Sequence, residues 1–291
     1  MAENKNKILV VGGTGFVGEY VTKLLTNRKK LEIFVIGAPS NNKAFAEKTR
    51  HYEIDLSRPL AYNKLPKTIS WFDTAVIMTQ PSVPIIRNIL KLLDMATNLK
   101  KVVFVSTILV YPSSNKKIRE TVVPSPVSQY EKDKIAEENM LTNYAKKRNI
   151  KLGIIRMANV YGDKKNRGII GLIFNSALNN NPLVVNGDGN QKRDYIFVED
   201  AANFIRSVVL CKQNKPIEVF NVCTGKSHTI NKLIKLTKRI TGKNILVNYA
   251  PAVPEKRSIT GDNAKIIKLF GKPRYSLLEG LNRTYTNYLS K

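Results

Sequence analysis

The chain has 291 residues, with 48 Lys+Arg against 22 Asp+Glu and a formal charge of +26. That length supports one large core or two unequal lobes, and the charge favours phosphate-bearing partners of any kind. Two cysteines, Cys211 and Cys223, share no metal-like spacing with each other or with His51 and His228, which excludes a disulfide framework and a zinc site, so no metal is expected. Lysine and asparagine recur along the whole chain, as at Asn41-Asn42-Lys43 and Asn115-Lys116-Lys117, with no arginine-rich tract. The basicity therefore reads as a solvated surface, and no nucleic-acid partner is expected. The apolar run after Lys7 breaks at Gly12, and no stretch approaches the roughly 20 apolar residues needed to span a bilayer. A soluble, cytoplasmic protein without a membrane partner is the expectation.

Residues 8–18 (ILVVGGTGFVG) run from an apolar strand into Gly12, Gly13, Gly15 and Gly18, and residues 19–25 then have helical periodicity. Strand, tight turn and helix in that order fit a dinucleotide cradle: glycine admits close approach of a pyrophosphate, and the helix N-terminus favours an anion. Gly12, Gly15, Phe16, Val17 and Gly18 are its expected residues.

A second strand at 32–36 ends in Gly37, where an Asp or Glu would accept hydrogen bonds from the adenosine ribose of NAD. With the carboxylate missing and Ser40 and Lys43 offering donors nearby, NAD and NADP both stand. A short third strand over 52–56 carries Asp55 and Leu56 at its tip, placed to meet an adenine edge. Strands over 73–78 and 101–106 follow, separated by a helix that begins near Pro84. Residues 128–147 predict a long helix with Ser128 as N-cap, and residues 151–156 a sixth strand. This alternation is the signature of an α/β doubly wound parallel sheet, Rossmann-like. The character then changes, with glycine, asparagine and short apolar runs over 159–194 and helices near 199–210, 230–240 and 264–270. The expected division is a dinucleotide-binding domain over 1–158, with 195–225 returning to it, and a smaller C-terminal substrate-binding lobe over 159–194 and 226–291.

Tyr130 and Lys134 form Y-x-x-x-K, which on a helix places both side chains on one face. A second such pair, Tyr161 and Lys165, lies in an expected loop, where that facing does not follow. The strand before the long helix ends in Ser106-Thr107, at the carboxyl edge where doubly wound sheets bind ligands. A free tyrosine, with a pKa of about 10, is a poor base at neutral pH, and an adjacent ammonium favours its phenolate. Tyr130 is thus expected to take a proton from a sugar hydroxyl, Thr107 to hydrogen-bond the same oxygen, and Lys134 also to hold the nicotinamide ribose.

These features resemble the extended short-chain dehydrogenase/reductases, specifically their nucleotide-sugar epimerase/dehydratase group. The likeness spans nearly the whole chain and is carried by residues 12–18 (GGTGFVG), 106–111 (STILVY), 128–130 with Lys134, 156–162 (RMANVYG) and 187–200 (GDGNQKRDYIFVED). It implies that Thr79 joins the cofactor residues, that Asn159, Arg193 and Arg257 join Thr107 in binding a nucleotide-diphosphate sugar, and that the protein is a homodimer. Arginine forks suit diphosphate oxygens.

Three departures narrow the reading. The acid ending the second strand is Gly37; the alanine-rich turn after the fourth strand is Thr79-Gln80-Pro81, with a shortened loop; and Ile108 and Leu109 replace the Asp-Glu pair that follows the catalytic threonine in 4,6-dehydratases. Without that pair, water elimination lacks its acid and base. The expected activity is an NAD(P)-dependent nucleotide-sugar 4-epimerase. A NADPH-dependent 4-keto-sugar reductase is the alternative, and an RNA-binding or scaffold protein on the same fold is the alternative from another class.

Overall fold

The computed structural model describes residues 6–38, 48–58, 63, 65 and 72–290. By contact density the chain divides into two units, one of Met1–Thr107, Gln129–Arg156 and Ala202–Phe220, the other of Ile108–Ser128, Met157–Ala201 and Asn221–Lys291.

The first unit is built on β1 (Asn6–Val11), β2 (Leu31–Gly37), β3 (Arg50–Glu53), β4 (Thr74–Ile77), β5 (Lys101–Thr107), β6 (Lys151–Met157) and β10 (Ile217–Val222). They form a seven-stranded sheet in the order β10-β6-β5-β4-β1-β2-β3. The pairings of β1 with β2 and β4, of β2 with β3 and of β4 with β5 are parallel. Strands buried on both faces need continuous apolar runs, and Leu9, Val10, Val11, Phe34, Val35, Ala75, Val76, Val103 and Phe104 are all buried. Among the described residues, helices α1 (Phe16–Thr26), α2 (Val83–Asp94) and α3 (Gln129–Arg148) belong to this unit. Ser82 caps α2 by accepting from the Ile85 amide at 3.4 Å, and Pro84 sits in its first turn. The apolar face of α2, with Ile86, Ile89, Leu92 and Leu93, enters the core. Helix α3 begins directly after Ser128.

The third strand lies earlier than the expected 52–56, because its register against β2 runs from Phe34 opposite Arg50 to Gly37 opposite Glu53. Asp55 therefore stands in the turn beyond the strand, where its Oδ1 accepts from the Ser57 amide at 3.0 Å and the Ser57 hydroxyl at 2.6 Å.

The second unit contains β7 (Asn159–Tyr161), α4 (Ile169–Asn179), β8 (Leu183–Asn186), β9 (Lys192–Phe197), β11 (Ser227–Thr229), α6 (Ile230–Thr241), β12 (Val247–Ala250), β13 (Ser258–Ile259), α7 (Ala264–Phe270) and α8 (Leu277–Leu289). Helix α5 (Val198–Leu210) follows β9 and carries the chain back to the first unit. Strand β9 is the hub of a small sheet, pairing with β7, β11 and β13. The terminal helix α8, absent from the sequence expectation, starts with a capping box between Ser276 and Glu279.

Contact density groups 108–128, 157–158, 195–201 and 221–225 with the second unit. The reason is local pairing: the Ser114 amide donates to the Ser258 carbonyl and the Ile118 amide to the Thr260 carbonyl, each at 2.9 Å, and the Asn221 side chain donates to the Ile118 carbonyl. Asp194, fully buried on β9, fastens the 221–225 segment by accepting from the Thr224 and Gly225 amides at 2.9 and 2.8 Å and from the Thr224 hydroxyl at 2.6 Å. Burial lifts its carboxyl to about 6, against the pull of those donors.

Candidate active site

In the first unit the glycine turn joins β1 to α1. Gly12 has φ +81°, its amide donates to the Ile36 carbonyl at 2.8 Å, and a Cβ there would lie 2.6 Å from the Met78 carbonyl oxygen. A Cβ on Gly18 would lie 2.1 Å from the Gly12 carbonyl oxygen. The turn is therefore closed to a Cβ at Gly12 and Gly18, while Gly15, at the N-cap of α1, leaves the helix start without a side-chain cap. Such a start offers amides and a positive dipole end to a phosphate.

Beside the turn is a cleft of about 490 Å³ whose walls include Gly12, Gly37, Asp55, Leu56 and Thr79. The expected adenosine residues Asp55 and Leu56 thus meet the glycine turn and Thr79 in one place. Ser40 and Lys43 lie outside the described residues. Gly37 has a steric logic of its own, since a Cβ there would press to 2.4 Å from the Thr14 hydroxyl. The sequence reading missed Glu53, which lines the same cleft from the strand next to Gly37. The β2–β3 register sets Glu53 opposite Gly37 on the neighbouring strand.

The Thr107, Tyr130 and Lys134 side chains occupy the end of β5 and the first two turns of α3. The Thr107 side chain hydrogen-bonds the Tyr130 hydroxyl. The residue Tyr130 is 41% exposed, yet its hydroxyl is desolvated. Lys134 is buried; its ammonium donates to the Thr79 carbonyl at 3.1 Å and the Val105 carbonyl at 3.3 Å, and lies 4.8 Å from the centre of the Phe104 ring.

The electrostatics differ from the expectation that Lys134 draws Tyr130 toward phenolate. Glu137, which the sequence reading missed, lies 3.0 Å from the Lys134 ammonium and is fully buried with it. Desolvation first, and then the Glu137 charge, push the Tyr130 phenol up; the Thr107 hydrogen bond pulls the other way. Burial pushes the Lys134 ammonium down, opposed by Glu137 and more weakly by Glu138. The available signal was spacing, since Lys134 and Glu137 are three residues apart on one helix. Next along α3, Glu138 forms a buried two-pronged pair with Arg156 at 2.7 and 3.2 Å, which ties the helix to β6.

Of the expected substrate residues, Thr107 lies in the first unit and Asn159, Arg193 and Arg257 lie in the second. Asn159 stands opposite Tyr195 in the β7–β9 register. Arg193 is held by Glu255 at 2.6 Å, and Gln191 donates to the other Glu255 oxygen at 3.0 Å. Arg257 makes an exposed pair with Asp188 at 3.1 Å. Lys192 pairs its amide with the Arg257 carbonyl, so the two arginines come from adjacent strand segments. Ile108, which stands where a dehydratase would place an acid, is buried in a short 3-10 turn.

Among the described residues no helix is long and apolar enough to cross a membrane, and no cluster of three or more His, Cys, Asp or Glu side chains is arranged to hold a metal.

Comparison with known proteins follows the same lines. The chain is 27% identical to a putative UDP-glucose 4-epimerase of Methanocaldococcus jannaschii, over 95% of this chain and 96% of that protein. It is 27% identical to a UDP-glucuronate 4-epimerase of Thermodesulfobacterium geofontis, over 95% of this chain and 94% of that one. The structure of the Thermus thermophilus UDP-glucose 4-epimerase in complex with NAD superposes with a TM-score of 0.88, at 21% identity and with 97% of this chain and 99% of that one covered, a likeness that bears on the fold alone. The model of the NAD dependent epimerase/dehydratase family matches residues 8–223, from the first strand through the segment fastened by Asp194. The chain belongs to the NAD dependent epimerase/dehydratase family.

Proposed function

We propose that this protein is a nucleotide-sugar 4-epimerase that uses NAD. The observation that carries the proposal is the Thr107–Tyr130 hydrogen bond at the carboxyl edge of the sheet, with Lys134 one helical turn on and reaching the Thr79 carbonyl beside the glycine-lined cleft. The cleft suits a dinucleotide: a turn into which no Cβ fits at Gly12 or Gly18 is a turn built for backbone approach. Gly12, Gly15, Phe16, Val17 and Gly18 would meet the pyrophosphate, Asp55 and Leu56 the adenine, and Thr79 and Lys134 the nicotinamide side. Glu53 beside Gly37 supports NAD over NADP, because a carboxylate repels a 2′-phosphate. When bound there, NAD would supply a reversible hydride acceptor for C4 of the sugar.

The chain's own contribution is proton handling and placement. Tyr130 takes the proton of the C4 hydroxyl as the alcohol becomes a ketone and gives it back when the ketone is reduced on the other face. Thr107 donates to the same oxygen and fixes its position. Arg193 and Arg257 are proposed to meet the diphosphate and Asn159 the sugar. Arg257, in an exposed pair worth little to stability, is the easier of the two to recruit. A homodimer and a cytoplasmic setting belong to the same proposal.

The test is purified protein. Native mass spectrometry showing retained NAD, together with 4-epimerisation of a UDP-hexose without added cofactor, is the expected result. Consumption of NADPH by a 4-keto sugar, with no cofactor-free epimerisation, would replace this reading by the reductase. Full biological activity in Tyr130→Phe would replace it by a non-catalytic role.

A further inference from the structure

Glu137 is a buried carboxylate inside the catalytic unit with two partners from different parts of the fold. One oxygen accepts from the Ser82 amide at 2.8 Å, at the residue that caps α2. The other lies 3.0 Å from the Lys134 ammonium, and both side chains are almost wholly buried, 0% and 3% exposed. An ammonium has three protons. Lys134 has three oxygens in reach, the carbonyls of Thr79 and Val105 and the Glu137 carboxylate, with the Phe104 ring beneath it.

Each contact has a consequence. An unpaired ammonium buried to this degree is expensive, and two neutral carbonyls do not compensate it. The carboxylate does so, and its other oxygen is pinned to backbone, so it cannot swing away with the lysine. The ion pair also couples α3 to the 79–82 turn, which carries the Thr79 wall of the cleft. The charged groups acting here are few: Glu137 and Glu138 on Lys134, and Glu137 and Glu131 on Tyr130, with the Thr107 hydroxyl opposing.

We propose that Glu137 is the fixed counter-ion of Lys134: it keeps the ammonium charged and aimed between the Thr79 and Val105 carbonyls, and is therefore a positioning residue for the reaction. It is not a catalytic residue, since nothing in its surroundings exposes it to substrate. The Glu137 charge also acts on Tyr130, where with desolvation it disfavours the phenolate, so in the free protein the phenol keeps its proton. The proposal deepens the epimerase reading for its catalytic consequence and is independent of it for its electrostatic one.

The experiment uses Glu137→Gln, which retains an acceptor for the Ser82 amide and replaces the charged oxygen facing Lys134 by a neutral NH2. In cofactor-free, lysine-labelled protein, the Lys134 Cε resonance, assigned by its loss in Lys134→Met, is followed against pH. Its titration is expected to move to lower pH in Glu137→Gln; an unchanged titration overturns the proposal. Stability supplies a second arm that survives poor behaviour of the single variant. Lys134→Met strands the Glu137 carboxylate, so the double variant Lys134→Met/Glu137→Gln is expected to melt at a higher temperature than Lys134→Met alone. A double variant no more stable than Lys134→Met also overturns it. If the protein turns over a UDP-hexose, Glu137→Gln lowers kcat by on the order of 10–100-fold with the sugar KM unchanged. Failure of turnover in the unaltered protein would count against the epimerase reading and leave the first two arms intact.

Discussion

Gly12→Ala tests whether the glycine turn is shaped by the neighbouring strand or only by its own backbone. Two costs arise at this position. The residue has φ +81°, where an L side chain costs roughly 1–2 kcal/mol. In addition, the new Cβ would sit 2.6 Å from the Met78 carbonyl oxygen and 3.0 Å from its carbon, both backbone atoms of the segment leading to Thr79. Relieving such an overlap typically costs about 1–3 kcal/mol. Gly242, the C-cap of α6, separates the two terms: its φ is +67°, and nothing lies within 4 Å of a Cβ built there. Gly242→Ala therefore carries the backbone cost alone. Urea denaturation of the cofactor-free variants is expected to place Gly12→Ala about 1–3 kcal/mol below Gly242→Ala. Calorimetric titration with NAD should show at least tenfold weaker binding for Gly12→Ala and no change for Gly242→Ala. Equal stability losses with unaltered NAD affinity would refute the steric argument and the assignment of the cleft together.

Four further outcomes follow from the same geometry. Tyr130→Phe is expected to lower turnover by about 10²–10⁴-fold while leaving the melting temperature close to that of the parent, because the hydroxyl's partner is the Thr107 side chain and not the core. In the cofactor-free protein Tyr130 is raised above the ordinary 10.0 by desolvation and the Glu137 charge. The difference in phenolate absorbance between the parent and Tyr130→Phe should therefore show no step below that pH, and a step near neutrality would contradict the account of its surroundings. Asp194→Ala removes the acceptor of two backbone amides and a hydroxyl at a fully buried position, and should destabilise the protein by about 2–5 kcal/mol in urea titrations; a loss under 1 kcal/mol would mean that water or a neighbour replaces it. Lys101→Met strips three carbonyls, those of Val208, Val209 and Cys211, of a buried ammonium donor at 2.6–3.2 Å. It should melt at a lower temperature than the parent, and a higher one would show that the desolvation cost of the ammonium outweighs its hydrogen bonds.

Some parts of this protein are written along the chain. A backbone that must pass within contact of another backbone cannot carry a Cβ, so Gly12 and Gly18 announce the turn by what they lack. Strands covered on both faces must be apolar at every position, so β1, β2 and β5 are visible as runs, and a four-residue interval on a helix brings Tyr130 and Lys134 to one side. These are short-range constraints. The sequence by itself accordingly determined the doubly wound sheet, the cradle and the identity of the groups at the end of β5 and the start of α3.

The tertiary structure decided what those groups experience. The third strand sits two residues earlier than its composition suggests, because pairing with β2 sets its register and leaves Asp55 in a turn. The 108–128 segment joins the second unit through amides bonded to carbonyls more than a hundred residues away. Glu255 claims Arg193 across 62 positions, and Asp188 claims Arg257 across 69. Above all, the sequence supplied a lysine to activate a tyrosine, whereas the fold buried Glu137 against that lysine, and its charge pushes the phenol up. A charge's influence depends on which opposite charge is buried with it and how much water both have lost, and neither is settled until the helix is packed on the sheet.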